Sequence, residues 1–480
     1  MEKLRNYING KLVEPASGTH IDNYNPATGK VYSLIPDSDE RDVEAAVEAA
    51  ENAFEGWSRM RTEDRSALLI RLSELIHRDL EELALAESID NGKPLWLARS
   101  VDIPRAVSNF HFYATAALHL STHAYSMGST ALNYTLRTPI GIAGCISPWN
   151  LPLYLFSWKI APALAAGNCV VAKPSEITPM TAYKLSVLAI EAGLPAGVLN
   201  IVHGYGYKAG KAIVSHPKIQ AVSFTGGTKT GEEISRIAAP MFKKLSLELG
   251  GKNPNIIFAD CDFDAAVKTS VQSSFANQGE ICLCGSRIFI ERPLYDKFRD
   301  AFVKAVEELK TGDPLKEENR MGAIVSRQHM DKILHYIGLA QEEGGRILTG
   351  GKNIQPPGEH AGGWYLLPTV IEGLAHDCRT NQEEIFGPVV TLQPFDTEEE
   401  VICYANSTTY GLAATVWTQH LTRAHRMAAA LQSGIVWINC WLLRDLRTPF
   451  GGVKASGIGR EGGFEALHFF TEEKNVCIRI

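Results

Sequence analysis

The strongest constraint on the fold is an alternation that begins near Gly141. Short, almost continuously apolar runs rich in Val and Ile alternate with amphipathic stretches of helical length. Strands that are apolar on both faces and separated by helices are typical of βαβ units in a parallel sheet. The sequence therefore predicts an α/β fold. The predicted strands are 142–147, 169–173, 198–202, 221–224 and 245–249, and the predicted helices between them are 180–191, 207–215 and 229–238.

The regions on either side extend this pattern. A chain of 480 residues is several times the usual domain size, so two or three cores are expected. Two segments, 125–137 and 475–480, are strand-like but fit neither α/β region, and each alone would expose an unpaired edge, so we expect pairing with another chain. Helices are predicted at 40–57 and 62–91, and a second α/β region from Lys252 has strands at 287–291, 365–371 and 389–394 and helices at 294–309 and 327–340.

Charge and cysteine content narrow the class of protein. The 54 acidic residues exceed the 47 basic ones, which argues against a binder of nucleic acid or anionic membrane. No apolar run is long enough to cross a bilayer, and the first residues lack the apolar core of a secretory signal. Nine cysteines, an odd number, fit a reducing compartment. We therefore expect a soluble, cytoplasmic, multidomain protein whose important cysteine acts as a thiol.

Cys282 is the candidate nucleophile. It follows a Gly-containing turn at the end of a helical segment that starts the run Phe275-Ala-Asn-Gln-Gly-Glu-Ile-Cys. A thiol with an ordinary pKa of about 8.5 is only slightly ionised at neutral pH, so it needs nearby N–H groups or a base. The alternatives are a buried, inert cysteine and a redox or metal pair with Cys284, although no second pair stands at zinc spacing.

Two further residues could complete a catalytic site. Glu248 lies in an apolar strand before Gly250-Gly251, where burial would raise its pKa and suit it to act as a general base. The alternative is a salt-bridged core glutamate. Asn150 follows the first parallel strand in a Pro-Trp-Asn turn, where its amide could donate to a developing oxyanion, or could simply form the turn.

Two glycine-containing turns suit a dinucleotide. Each follows a predicted strand and opens a helix, which offers free N–H groups to a pyrophosphate, although neither has the regular spacing. Glu176, just after Lys173, could accept hydrogen bonds from ribose hydroxyls and repel the 2′-phosphate of NADP, or could be a helix-start carboxylate. No metal site is expected, because His119 and His123 lack a third ligand. The candidate residues of the turns are Gly206, Gly210, Thr225, Gly226, Gly227 and Gly231.

Taken together, these segments resemble the aldehyde dehydrogenase superfamily over essentially the whole chain. The resemblance implies that Cys282 is the nucleophile, that Glu248 is the general base, and that Asn150 and the Cys282 N–H form an oxyanion hole. Six motifs occur in the family's order: Pro-Trp-Asn, Lys-Pro-Ser-Glu, Phe-Thr-Gly, Leu-Glu248-Leu-Gly-Gly-Lys, the run from Phe275 to Cys282, and Glu384-Ile-Phe386-Gly-Pro.

The resemblance also implies the cofactor and the domains. It implies NAD, with Lys173, Glu176 and Glu384 at the riboses, Phe386 near the nicotinamide, and Trp149 and Leu249 among the other cofactor-binding residues. It implies a Rossmann-like NAD-binding domain (1–117 and 140–250), a catalytic α/β domain (251–450) and a small β-arm (118–139 and 463–480) that joins a homodimer or homotetramer. Two positions depart from the family's pattern: Glu280, commonly Gln, could raise the thiol pKa, and Gly227, often Ser, lacks a hydroxyl.

The substrate is the least determined property. Asp102-Ile-Pro-Arg105 and Trp441-Leu-Leu-Arg444-Asp-Leu-Arg447 resemble the subgroup that oxidises 2-aminomuconic and 2-hydroxymuconic semialdehydes. Such substrates carry a carboxylate at the end remote from the aldehyde. The resemblance therefore implies that Arg105 and Arg444 bind this carboxylate, with Arg447 as the alternative to Arg444. Alternatively, Arg105 pairs with Asp102 and Arg444 with Asp445. Three other functions compete with this one. The protein could oxidise another aldehyde (betaine aldehyde, retinal or an aliphatic semialdehyde), act as a cofactor-free thiol hydrolase or esterase, or be a catalytically silent binding protein.

Overall fold

The computed structural model describes residues 1–480 and contains two large sheets. The first sheet has eight strands, of which the central five run parallel, as the alternation predicts. Antiparallel strands close both of its edges. In spatial order the strands are Gly457–Ile458, Lys244–Glu248, Ile219–Thr225, Ile142–Ile146, Cys169–Lys173, Leu199–Ile201, Asn6–Ile8 and Lys11–Val13.

Amphipathic helices cover this sheet and bury its largest apolar core. Asp39 caps the first helix, Glu40–Arg59, with a capping box, which fixes where that helix starts. The helix predicted over 62–91 is broken at Asp79, whose backbone leaves helical geometry without any Gly or Pro to signal the break. The other helices here are Thr62–Arg78, Leu80–Asn91, Ile103–Ala116, Pro152–Ala165, Met180–Ala192, Lys211–Ser215, Thr228–Ala238 and Gly463–Phe469.

The second sheet has seven strands and forms the other α/β region. All neighbours are parallel except one edge strand, Arg346–Thr349. Helices Phe263–Phe275, Tyr295–Glu307, Arg327–Glu342, Glu398–Asn406 and Leu421–Ala430 accompany it. In spatial order the strands are Arg346–Thr349, Thr369–Glu372, Val389–Phe395, Arg287–Glu291, Pro254–Ile257, Ala413–Trp417 and Ile435–Ile438.

A three-stranded arm contains the two segments that fitted neither core. The strand Thr471–Arg479 pairs antiparallel with Ala131–Pro139 along its whole length, and Ala124–Ser126 flanks the latter. The two segments thus pair with each other, which was not predicted from the sequence, and pairing of the arm with another chain stays a prediction. Helix Gly463–Phe469, which the predicted arm included, packs on Pro152–Ala165 of the first region instead.

No helix in the structure is both long and apolar enough to cross a membrane. The carboxyl ends of the strands Ile142–Ile146, Ile219–Thr225 and Lys244–Glu248 lie at one edge of the first sheet, because these strands are parallel. That edge carries Asn150 and Glu248, and the loop that precedes strand Arg287–Glu291 brings Cys282 to it.

Candidate active site

An unusual turn presents Cys282. After helix Phe263–Phe275, three consecutive residues adopt left-handed backbone conformations, with φ of 52° at Asn277, 57° at Gln278 and 71° at Gly279. A side chain at position 279 would lie 2.3 Å from the carbonyl oxygen of Gly387, so only glycine fits there. The strained backbone reverses the chain and leaves the Cys282 side chain half-buried at a cavity wall.

Asn253 holds the nucleophile loop in place. Its Nδ2 donates to the carbonyl oxygens of Cys282 at 2.7 Å and Cys284 at 2.9 Å. Its Oδ1 accepts from the N–H of Ala413 at 3.0 Å. One buried amide therefore ties the backbone at Cys282 and at Cys284 to the second sheet.

Cys282 lies where two cavities meet. One cavity of about 220 Å³ is lined by the strand-end turns of the first sheet, and another of about 80 Å³ is lined mainly by apolar side chains. Burial raises the pKa of the Cys282 thiol, and the carboxylates of Glu384 and Glu248 raise it further. The thiol therefore rests protonated and needs a base to become a nucleophile.

Glu248 has the environment of a general base. It ends its strand and lines the same cavity as Cys282, and neither of its buried carboxylate oxygens has a hydrogen-bond partner. The salt-bridged alternative is therefore excluded. Burial raises its pKa well above the usual value, and the nearby Glu461 raises it further, while Lys159 is engaged with Glu461 at 2.7 Å. A carboxylate in this state accepts a proton near neutral pH.

Asn150 is fixed but keeps a free donor. Its Nδ2 donates one hydrogen bond to the Glu280 carbonyl oxygen at 2.8 Å. Its own carbonyl oxygen accepts from Lys93 Nζ at 3.1 Å and from Asn277 Nδ2 at 3.0 Å. An amide has two N–H hydrogens, so the second is available to the cavity that Asn150 and Cys282 share.

The predicted ribose residues form one cluster. Lys173 Nζ donates to Glu176 Oε2 at 2.9 Å, and the N–H of Gly206 donates to Glu176 Oε1 at 3.4 Å. Gly210 packs against the Lys173 side chain, where a Cβ would lie 3.5 Å from Lys173 Cδ. Burial tends to raise the pKa of Glu176, but Lys173 and the backbone N–H groups bring it below its usual value, so it is a carboxylate.

The other predicted cofactor residues surround the cavity beside the sulfur. Glu384 Oε1 accepts from the N–H of Gly251 at 2.8 Å. The rings of Trp149 and Phe386 meet edge to face at 5.3 Å, and Phe386 has a positive φ of 61°. The lining comprises Pro148, Trp149, Asn150, Thr225, Gly226, Gly227, Leu249, Gly250, Cys282, His329, Lys332, Glu384 and Phe386.

This cavity fits a dinucleotide by its donors. The hydroxyls of Thr225 and Thr228 are buried without hydrogen-bond partners where helix Thr228–Ala238 begins, a position that suits a phosphate. Gly227 leaves open space there. Gly231 has a different function, because a Cβ would lie 2.6 Å from Leu249, so it permits close packing rather than binding phosphate.

Two arginines meet at one tyrosine on the other side of the sulfur. Arg444 donates from Nη1 to the Tyr154 hydroxyl at 2.8 Å and lines the cavity with Cys282 and Glu248. The Arg105 guanidinium carbon lies 5.4 Å from the centre of the Tyr154 ring, although Arg105 is not among the residues that line this cavity. Neither arginine has a carboxylate partner within salt-bridge distance.

The predicted surface pairs of these arginines do not form. Asp102 is buried against Lys93, and Asp445 binds Arg447 at 2.6 Å, because these partners are closer in the folded chain. Arg447 is thereby occupied and exposed, which removes it as the second choice for a substrate contact.

Comparison with known proteins identifies the family. The sequence profile of the aldehyde dehydrogenase family matches residues 12–476. The chain belongs to the aldehyde dehydrogenase family. It is 53% identical to 2-aminomuconic semialdehyde dehydrogenase of Danio rerio over 99% of this chain and 98% of that protein. It is 46% identical to 2-hydroxymuconic semialdehyde dehydrogenase of Pseudomonas sp. strain CF600 over the whole of both chains.

Solved structures agree with this aldehyde dehydrogenase fold. The NAD⁺ complex of aldehyde dehydrogenase from Bacillus cereus superimposes with a TM-score of 0.97 at 42% identity, over 100% of this chain and 97% of that one. The predicted α/β fold, the predicted family, and the predicted similarity to its muconic-semialdehyde members are confirmed.

Glu280, where this sequence departs from the family's pattern, is not among the largest influences on the pKa of Cys282. The charged groups that raise the Cys282 pKa are Glu384 and Glu248, whereas Glu280 raises the pKa of Cys284. The Glu280 carboxyl is buried, which raises its own pKa, and its Oε1 accepts from the N–H of Val325 at 3.2 Å. It therefore supports the turn rather than the thiol.

Sequence reasoning missed several residues of the site. Tyr154 lies four residues after Asn150, in the first turn of helix Pro152–Ala165, and Asn253 follows the Gly-Gly-Lys segment. Their positions near known motifs were visible, but the contacts that give them a role join residues that are 29 and 290 positions apart in the chain. Lys93 was missed for the same reason, because its contact with Asn150 spans 57 positions of the chain.

Proposed function

We propose that this aldehyde dehydrogenase uses NAD to oxidise 2-aminomuconic or 2-hydroxymuconic semialdehyde to the corresponding carboxylic acid. The observation that carries the choice of substrate is the pair of arginines at Tyr154, without carboxylate partners, beside the cavity of Cys282 and Glu248. Unpaired guanidinium groups next to an apolar cavity attract a carboxylate and repel a cationic aldehyde such as betaine aldehyde.

The chain's own residues supply the covalent chemistry. The Cys282 thiol gives its proton to a water molecule in the cavity, and the sulfur attacks the aldehyde carbon to give a thiohemiacetal. The oxyanion that forms accepts hydrogen bonds from Asn150 Nδ2 and the Cys282 N–H, and each such donor is typically worth about 3 kcal/mol. When bound, NAD accepts the hydride that converts the thiohemiacetal to a thioester.

Glu248 completes the turnover. It takes a proton from a water molecule, whose oxygen attacks the thioester carbon, and the carboxylic acid leaves as the Cys282 thiol is restored. Its unpaired, buried carboxylate supports this role, because a salt-bridged glutamate would hold its negative charge too strongly to accept a proton.

The residues beside the sulfur would hold NAD. Glu176 and Lys173 would bind the adenosine ribose hydroxyls and Glu384 those of the nicotinamide ribose, while Trp149, Leu249 and Phe386 would surround the ring. The phosphates would lie against two turns. One contains Gly206 and Gly210, and the other contains Thr225, Gly226 and Gly227. The ionised Glu176 supports NAD over NADP, since a carboxylate repels a 2′-phosphate.

The proposal extends to assembly and location. The arm exposes Tyr125, Met127, Leu136 and Ile478, an apolar surface that favours association with a second copy, as a homodimer or homotetramer. All nine cysteines are free thiols, as a cytoplasmic protein would have them.

The decisive experiment compares Arg444→Ala with Arg447→Ala. We expect Arg444→Ala to lower kcat/KM for 2-hydroxymuconic semialdehyde roughly 100-fold, because a buried, charge-assisted contact is lost. Activity toward the uncharged 2,4-hexadienal should change little. Arg447→Ala is the matched control, since Arg447 already binds Asp445, and it should behave as wild type.

Steady-state NADH formation measures both substrates. If Arg444→Ala leaves the preference for the semialdehyde over hexadienal intact, the proposed carboxylate clamp is wrong. If the wild-type protein releases an acid from an ester but reduces no NAD with any aldehyde, it is a thiol hydrolase and the proposed function is wrong.

A further inference from the structure

Tyr154 occupies a fixed position in the substrate cavity. Its side chain is only 6% exposed, and it lies in the first turn of helix Pro152–Ala165. Its carbonyl oxygen accepts hydrogen bonds from Asn109 Nδ2 at 3.1 Å and from Ser157 Oγ at 2.9 Å. These bonds fix the backbone, so the phenol has little freedom to move away from the cavity.

The Tyr154 hydroxyl has an unused donor. Its oxygen accepts from Arg444 Nη1 at 2.8 Å, and no acceptor in the structure receives the hydroxyl hydrogen. A phenol that accepts from a guanidinium is polarised and becomes a stronger donor. A buried donor without an acceptor is costly, which points to an acceptor that arrives with the substrate.

The surroundings of Arg444 limit where that acceptor can be. Its guanidinium carbon lies 4.0 Å from the centre of the Phe450 ring and 5.3 Å from that of Trp158, so aromatic rings hold the planar group. The Tyr154 ring in turn supports Arg105. One tyrosine thus contacts both unpaired cations, and its hydroxyl hydrogen lies beside the Arg444 donors.

We propose that Tyr154 is a specificity-determining residue that donates its hydroxyl hydrogen to the remote carboxylate of the substrate while it orients Arg444. This inference rests on the proposed function. A carboxylate accepts several hydrogen bonds, so the phenol and the guanidinium bind it together. An aldehyde without a carboxylate leaves the hydroxyl unsatisfied and gains nothing from it.

The test is Tyr154→Phe, which keeps the ring against Arg105 and removes only the hydroxyl. With 2-hydroxymuconic semialdehyde we expect kcat/KM to fall roughly 10- to 100-fold, the usual effect of losing a hydrogen bond to a charged group. The change should lie in KM, with kcat close to wild type, because this contact forms in the ground state and the transition state alike. With 2,4-hexadienal, which has no carboxylate, the fall in kcat/KM should be at least tenfold smaller.

The matched control is Tyr7→Phe. Tyr7 is also buried, and its hydroxyl makes no hydrogen bond, but it lines neither of the cavities that meet at Cys282. This variant should keep the wild-type constants for both aldehydes. If Tyr154→Phe lowers activity toward both aldehydes equally, or changes neither, the inference is wrong, because a packing residue does not distinguish a carboxylate.

Arg444→Ala separates this inference from the proposed function. If Arg444→Ala abolishes the semialdehyde preference and Tyr154→Phe preserves it, only the role of Tyr154 is wrong. If the wild type shows no preference, or Arg444→Ala preserves it, the proposed substrate fails and the inference fails with it. In the double variant, Tyr154→Phe should cost less than in wild type, since both side chains bind one carboxylate.

Discussion

The two cavities that meet at Cys282 are built in different ways. The one beside Trp149 and Phe386 is formed mostly by turns at the carboxyl ends of parallel strands, with glycines and backbone N–H groups. The one beside Tyr154 and Arg444 is formed by large side chains from distant parts of the chain. The first cavity suits a dinucleotide cofactor, whereas the second is the one that we propose distinguishes one aldehyde from another.

We expect the largest effect from removing the sulfur of Cys282, the residue that lines both cavities. Cys282→Ala should lower turnover on the order of 10⁴-fold or more for every aldehyde, because no thiohemiacetal can form. NADH formation measured under saturating aldehyde checks this result.

Cys284→Ala is the control for this variant. The Cys284 thiol makes no hydrogen bond and is buried two positions away, so its removal should leave most activity. Full activity in Cys282→Ala combined with loss in Cys284→Ala would move the nucleophile to position 284.

A smaller effect is expected from a change confined to the substrate side. Glu248→Gln should slow thioester hydrolysis roughly 100-fold, the usual contribution of a general base, while the first turnover still produces NADH. Rapid mixing should then show a burst of NADH followed by a slow steady state.

The pH dependence sharpens this prediction. The pKa of Glu248 is raised, so at low pH its carboxyl is protonated and cannot accept a proton from water. Hydrolysis should therefore increase as the pH rises through that pKa, and this increase should be absent in Glu248→Gln. A wild-type rate that falls over the same pH range would contradict the assignment.

The smallest effect is expected on the cofactor side. Glu176→Gln removes a charge that repels a 2′-phosphate but keeps Lys173 nearby, so the ratio of NADP to NAD activity should rise roughly tenfold. Glu191→Gln, which changes an exposed carboxylate paired with Arg78, is the control and should leave the ratio unchanged. An unaltered ratio in Glu176→Gln would mean that Glu176 does not contact the ribose.

The same contrast explains what the sequence could predict. The five parallel strands of the first sheet were predicted within a few residues, because buried parallel strands are continuous apolar runs. In the second sheet three strands were predicted, but four were missed: Pro254–Ile257, Arg346–Thr349, Ala413–Trp417 and Ile435–Ile438. The placement of Asn150, Glu248 and Glu176 at or just after strand ends could be predicted, because a local motif marks each one. The positions of these residues in one region of the fold follow from the parallel order of the strands.

The rest depends on contacts that no local pattern encodes. Tyr154 and Arg444 are brought together by folding, as are Lys93 and Asp102, whose pairing left Arg105 without its expected partner. The break at Asp79 and the pairing of the two arm strands were likewise missed. The partner that each of these side chains binds depends on which group is closer after folding. The sequence alone does not give those distances.

The two reacting groups belong to different halves of the molecule. Glu248 ends a strand of the first sheet, whereas Asn253 fastens the backbone of Cys282 to Ala413 in the second. The relative position of the Cys282 sulfur and the Glu248 carboxylate is thus set where the two α/β regions meet. The short Gly250-Gly251 segment connects the two regions there. A substitution far from either group that slides one half against the other would uncouple acylation from hydrolysis without altering a single reacting atom.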